Sequence, residues 1–154
     1  MVNQYKKYEI SVDKLNLPVR KLPTNMTISN LRGKSNFNKL LNLFLNIFPD
    51  EIDSEKEMQL RDFREQNFNG LFIAEFNQEI IGFLISGISG VTGYILYIGV
   101  LNEYRSLGIA TNLLNRFISY LNQKKVQNIQ CNIREDNKKT LSYVTYLGFK
   151  KCEL

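Results

Sequence analysis

Apolar positions along the chain change period several times, and each change marks an element. Tyr8, Ile10 and Val12 alternate with polar residues, which predicts a short strand within the polar, basic stretch of residues 1–24. Met26 to Leu31 reads as a second strand. Phe37, Leu40, Leu41, Phe44, Leu45 and Phe48 then recur at helical spacing, and Pro49 ends the run. Ser54 and Glu57 form a capping box that opens a further helix to about Gln66. Leu71 to Phe76 and Glu79 to Ser86 read as a hairpin turned at Asn77-Gln78. A glycine-bearing loop is expected from Gly87 to Gly93, followed by a strand from Tyr94 to Leu101. An amphipathic helix begins near Gly108, with Ile109, Leu113, Leu114, Phe117, Ile118 and Leu121 on its apolar face. Asn128 to Arg134 alternates as a strand, with Ile129, Cys131 and Ile133 on one face and Gln130, Asn132 and Arg134 on the other. A short helix from about Lys138 to Tyr146 stops at Gly148, and Phe149 to Glu153 is a last short strand. This order predicts a single-domain mixed α/β fold, with helices on both faces of one central sheet.

Composition narrows the classes. The chain has 154 residues, 44% hydrophobic and 23% charged, which suits one domain with a real core. No apolar run approaches the roughly 18–20 residues of a membrane span, and residues 1–10 lack the apolar segment of a signal peptide, so a cytoplasmic setting without membrane association is expected. The chain contains no histidine and its two cysteines form no CxxC, which leaves no metal site to expect and removes every histidine-based triad. Cys131 and Cys152 read as small, half-buried hydrophobes. The net charge of +5 is spread without a basic stripe, so it suits a polyanionic small ligand and gives no reason to expect nucleic acid.

The chemistry concentrates between Val100 and Thr111. A buried strand runs into a polar turn and then into Gly108-Ile109-Ala110-Thr111, where a helix starts. The unpaired N–H groups and positive dipole end of a helix start favour an anion. Gly108 and Ala110 let a pyrophosphate approach the backbone, Arg105 adds charge and the Thr111 hydroxyl adds a donor. Gly99 inside the preceding strand predicts a bulge or a close approach. A bulged strand that splays from its neighbour opens a slot, along whose edge an amide-bearing ligand can hydrogen-bond.

Val100, the run Arg105-Ser106-Leu107-Gly108-Ile109-Ala110 and the helix after it resemble the acetyl-CoA signature of the GNAT acetyltransferase superfamily. Asn137, eleven residues before Gly148-Phe149, resembles that family's second motif. The resemblance covers roughly residues 26–151. It implies a mostly antiparallel sheet, a domain over residues 25–154 preceded by an N-terminal extension, and acetyl-CoA as cosubstrate without a metal. It further implies that the backbone of Ile98, Gly99 and Val100 pairs with the pantetheine arm. Arg105, Ser106, Leu107, Gly108, Ile109, Ala110 and Thr111 would then cradle the pyrophosphate, and Asn137 would bind pantetheine near the thioester. For Asn137 a helix N-cap is an equal reading. The acceptor that the resemblance implies is a primary amine (small molecule, peptide N-terminus or lysine), approached from the side of the helices expected in residues 36–66.

The sequence departs from the family where the acid and base are expected. Val144 stands where many members carry a tyrosine, leaving Tyr143 and Tyr146 as nearby hydroxyls. Tyr94 and Asn132 stand where members carry a glutamate; Glu75, Glu79 and Glu103 are the nearest carboxylates by sequence, Glu103 reads as a solvated turn residue, and Glu75, alternating with Ile73, faces either the cleft or solvent. Asn132 can orient a water, so deprotonation through ordered water is expected. These departures also allow a domain that binds acyl-CoA as a sensor without turnover. The family adds a strand after Gly-Phe that this chain lacks, so Tyr5 to Val12, or a second subunit in a homodimer, is expected to cover the sheet edge.

Overall fold

A computed structural model describes residues 4–31, 34–49, 58, 60–62 and 70–152. Seven strands, β1 (Tyr5–Ser11), β2 (Met26–Asn30), β3 (Leu71–Phe76), β4 (Glu79–Ser89), β5 (Thr92–Val100), β6 (Asn128–Arg134) and β7 (Lys150–Lys151), form one sheet in the order β2-β3-β4-β5-β6-β1-β7. Every pairing is antiparallel except β5 with β6. Among the described residues the longer α-helices are α1 (Lys34–Ile47), α2 (Ile109–Gln123) and α3 (Lys138–Leu147). Met58 and residues 60–62 are helical; the rest of the helix expected from Ser54 to Gln66 lies outside the described residues.

Alternation along the strands sorts the core into two layers. On one face Phe72, Leu84, Ile129, Cys131 and Ile133 pack with Leu113, Phe117 and Leu121 of α2 and Leu147 of α3. On the other, Leu71, Ile73, Phe83 and Ile85 pack with Phe37, Leu40, Leu41 and Phe44 of α1 and with Leu60. The predicted fold class therefore holds: one mixed, mostly antiparallel sheet with helices on both faces.

Two expectations are corrected. The segment Gly87–Gly93 is not a loop. β4 and β5 stay paired to Ser89↔Thr92, and Gly90, with φ of 61°, makes the turn. Nor does Gly99 make a bulge. It pairs in register with Phe83, and its missing Cβ is what admits the Phe83 ring and the Ile47 side chain, at 3.1 and 3.2 Å from where that Cβ would stand. The bulge lies three residues earlier. Ile85 faces Tyr97 and Ser86 faces Ile95, so Leu96 is the extra residue of β5.

β1 is not an edge strand. It lies between β6 and β7, with Tyr8 opposite both Cys131 and Lys151. The chain then crosses the α2–α3 face to reach β2 at the far end of the sheet. Along this strap Leu15, Leu17 and Leu22 pack on the core, and the Asn16 N–H donates to the Leu147 carbonyl at 3.3 Å. Both cysteines are free thiols. Burial, then the neighbouring Cys152, pushes the Cys131 thiol up to about 12, as its inert packing role requires.

Candidate active site

The parallel pair β5–β6 is a fork. Its last paired residues are Ile95 and Cys131, while β5 runs on to Val100 and β6 to Arg134. The pairing stops at the residue before the Leu96 bulge. A bulge bends its strand and sharpens the local twist, which carries β5 away from β6. Among the described residues, the β5 edge towards β6 has no strand partner from Leu96 onward. That is the slot expected from sequence, opened by Leu96 and not by Gly99.

At the far end of the slot the chain makes a 3₁₀ turn, Asn102–Tyr104, and then enters α2. Ser106 and Gly108 are both left-handed, with φ of 67° and 81°. Gly108 is the N-cap of α2 and no side chain caps it, so the N–H groups of Ile109, Ala110 and Thr111 present the positive end of a fifteen-residue helix. Gly108 and Ile109 are buried, Ala110 is half-buried, and Ser106 and Leu107 lie at the surface.

The cation at the turn is not the one expected. Arg105 folds back, its Nε donating to the Val100 carbonyl at 3.3 Å. It thus ties the turn to the end of β5, and this Val100 carbonyl is already engaged. The cation standing over Gly108 is Arg20, from the strap. Its Nη2 donates to the Ser106 carbonyl at 3.1 Å, and its own carbonyl accepts from Asn112 Nδ2 at 3.0 Å. A Cβ on Gly108 would lie 2.9 Å from the Arg20 Cβ. Sequence reasoning missed Arg20 because 86 residues separate it from Ser106. The only local hint is a basic residue in a segment with no periodicity.

The remaining candidates divide. Asn137 Oδ1 accepts from the Thr140 N–H at 3.2 Å, so Asn137 caps α3. Tyr143 Oη and Thr111 Oγ1 are 3.1 Å apart and share a hydrogen bond between α3 and the first turn of α2. That commits the Tyr143 hydroxyl to the α2 end of the slot. Val144 is half-buried and apolar, and Tyr146 is 67% exposed. Asn132 is exposed on β6, one residue beyond the last pair of the fork. Glu75 follows Ile73 onto the α1 face, where Ser29 Oγ donates to its Oε1 at 3.4 Å. It stands on β3, two strands from β5 and thus roughly 10 Å from the slot edge. The end of β5 and the turn meet through the Arg105–Val100 bond, Tyr143 joins the start of α2 through Thr111, and Glu75 stands apart from them.

Residues 37–149 match the Acetyltransferase (GNAT) family. Solved structures with the same fold include a GCN5-related N-acetyltransferase from Sphaerobacter thermophilus, at 15% identity and a TM-score of 0.78 over 96% of this chain and 48% of that one. Another is the ribosomal-protein-S18-alanine N-acetyltransferase from Escherichia coli, at 18% identity and 0.73 over 83% and 79%. Naa50 from Arabidopsis thaliana, in complex with the bisubstrate analogue CoA-Ac-MVNAL, is similar at 21% identity and 0.70 over 84% and 86%. The chain spans about half the length of the Sphaerobacter protein and 57% of a functionally unknown conserved protein from Staphylococcus epidermidis that it also resembles.

Proposed function

The chain belongs to the GNAT acetyltransferase family, and from that premise we propose that it transfers the acetyl group of acetyl-CoA to a primary amine by direct attack in a ternary complex. The observation that carries this reading is the fork. A free β5 edge begins at Leu96 and leads directly into an uncapped helix start. One edge suits an amide-bearing arm, and the helix start suits a pyrophosphate. Arg20 adds a positive charge beside Ser106 and Gly108.

The chain's residues divide the work by position. N–H groups of residues 109–111 and Arg20 hold the phosphates on the α2 face. The β5 backbone from Leu96 to Val100 aligns the pantetheine arm, and the thioester lies at the narrow end of the fork. Backbone N–H groups there polarise the thioester carbonyl as charge develops. The amine approaches from the α1 face, and holding the two reactants in place lowers the barrier. Val144 supplies no proton to the leaving thiolate. A thiol with a pKa near ~8.5 leaves without one.

The apolar Val144 also favours a second reading, an acyl-CoA-binding module without turnover. Calorimetric titration with acetyl-CoA, followed by CoA release against free N-terminal peptides, lysine peptides and polyamines, separates the two. Binding with release on at least one acceptor is expected. Binding without release selects the module, and no binding overturns both.

A further inference from the structure

The transferase reading lacks a group to take the ammonium proton, and β1 carries one. We propose that Glu9 accepts the acceptor amine's proton, through an ordered water, at the narrow end of the fork. This rests on the transferase reading above.

Three placements support it. The first is the face. Tyr8 and Ile10 pack in the α2–α3 layer, so Glu9 between them lies on the opposite, α1 face. Gln130 lies there too, between Ile129 and Cys131, and its Nε2 donates to Glu9 Oε1 at 3.2 Å. Gly93 backs onto Leu121 of α2, which puts Tyr94 on the same face as Glu9. The second is the level. Tyr94 pairs with Gln130 and Gln130 with Glu9, so all three form one row across the sheet. That row is the one just before the fork opens at Ile95 and Cys131. The third is reach. β1 is the immediate neighbour of β6, a single strand spacing of roughly 4.8 Å. Asn132, exposed on the same face and just inside the fork, can orient the bridging water.

The carboxylate is held in place. Cys152 Sγ donates to Glu9 Oε2 at 3.8 Å. Burial, then the charge and hydrogen bond of Glu9, pushes the Cys152 thiol up against the opposing pull of Lys7, so it stays a donor at neutral pH. Among the described residues, the charged and titratable groups on this face of the neighbouring strands are Tyr5 and Lys7 on β1, Lys150 opposite Glu9 on β7, Arg134 on β6, which pairs with Asp136 at 2.9 Å, and Tyr94 and Tyr97 on β5, with Glu75 farther off on β3. Glu135 lies 3.8 Å from Lys6.

The step balances without a further reactant. One ammonium proton passes through water to Glu9. The amine nitrogen then bonds to the carbonyl carbon as the carbon–sulfur bond breaks. The second proton leaves the nitrogen for the thiolate, giving CoA thiol, and Glu9 returns its proton to solvent.

The test uses the full chain with the amine that the acceptor panel selects. For Glu9→Gln the acetyl-CoA dissociation constant should stay within about twofold of wild type, while kcat/KM at neutral pH falls about 100-fold or more. The loss should shrink as pH rises, because the amine then arrives already neutral. Added formate should partly restore Glu9→Ala. A wild-type rate and pH profile in Glu9→Gln overturns the proposal. If that variant does not stay folded, Gln130→Met, which leaves the carboxylate held through Oε2 alone, should show a smaller displacement of the pH profile in the same direction, and an unchanged profile there overturns the proposal equally. Failure of the wild type to bind or turn over acetyl-CoA sinks the transferase reading itself, an outcome distinct from an active enzyme indifferent to Glu9.

Discussion

Gly108 answers to two constraints at once. Its φ of 81° is one that L side chains adopt only at a cost of roughly 1–2 kcal/mol. The space where its Cβ would stand is occupied by Arg20. Gly108→Ala should therefore lower the melting temperature by several degrees and weaken acetyl-CoA binding at least about 10-fold. Calorimetry and a thermal melt check both, and an alanine variant with wild-type affinity would remove the turn from the site. The glycine itself was legible in the sequence, because its spacing to the helix is local. The arginine above it was not, because nothing along the chain ties residue 20 to residue 108. The Tyr143–Thr111 hydrogen bond was hidden for the same reason: helical periodicity gives a face, and the partner on that face comes only with packing.

At the scale of elements, helix positions were readable and the decisive irregularity was not. α1, α2 and α3 lie where apolar periodicity, Pro49, Gly108 and Gly148 put them. β5, by contrast, contains the unbroken apolar run Ile95, Leu96, Tyr97, Ile98, which offers no alternation from which to read a slipped register. Gly99 drew the bulge to itself as the visible anomaly, yet its work is to seat α1. Gly99→Val should push Ile47 and Phe83 aside and cost about 1–3 kcal/mol, as overpacking does. Denaturant melts should show that loss, with the acetyl-CoA site less affected than in Gly108→Ala. An unaltered midpoint would show that α1 docks elsewhere.

At the scale of the molecule, the composition and element order gave the layers, but the strand order needed long-range pairing that no local signal encodes. β1 pairs along its full length with β6 and meets β7 on its other side, and Ile10 is buried beneath it. Deleting residues 1–20 removes that interior strand, the first part of the strap and Arg20 together. The truncated protein should lose its cooperative thermal transition by circular dichroism and elute as aggregates. A monomeric product that melts like the full chain would overturn this placement.

The interior position of β1 also has a consequence in time. Glu9 and Gln130 touch across 121 residues of chain, and contacts of such separation form slowly because the intervening loop must close first. Among the described strands, β1 is therefore the first in the chain and among the last that can be seated. Until it is, one edge of β6 stays unpaired and the strap has no anchor at its start. Closing that one long loop seats β1 against β6 and brings the strap's Arg20 over Gly108, so the completed sheet and the cover of the turn depend on the same early residues.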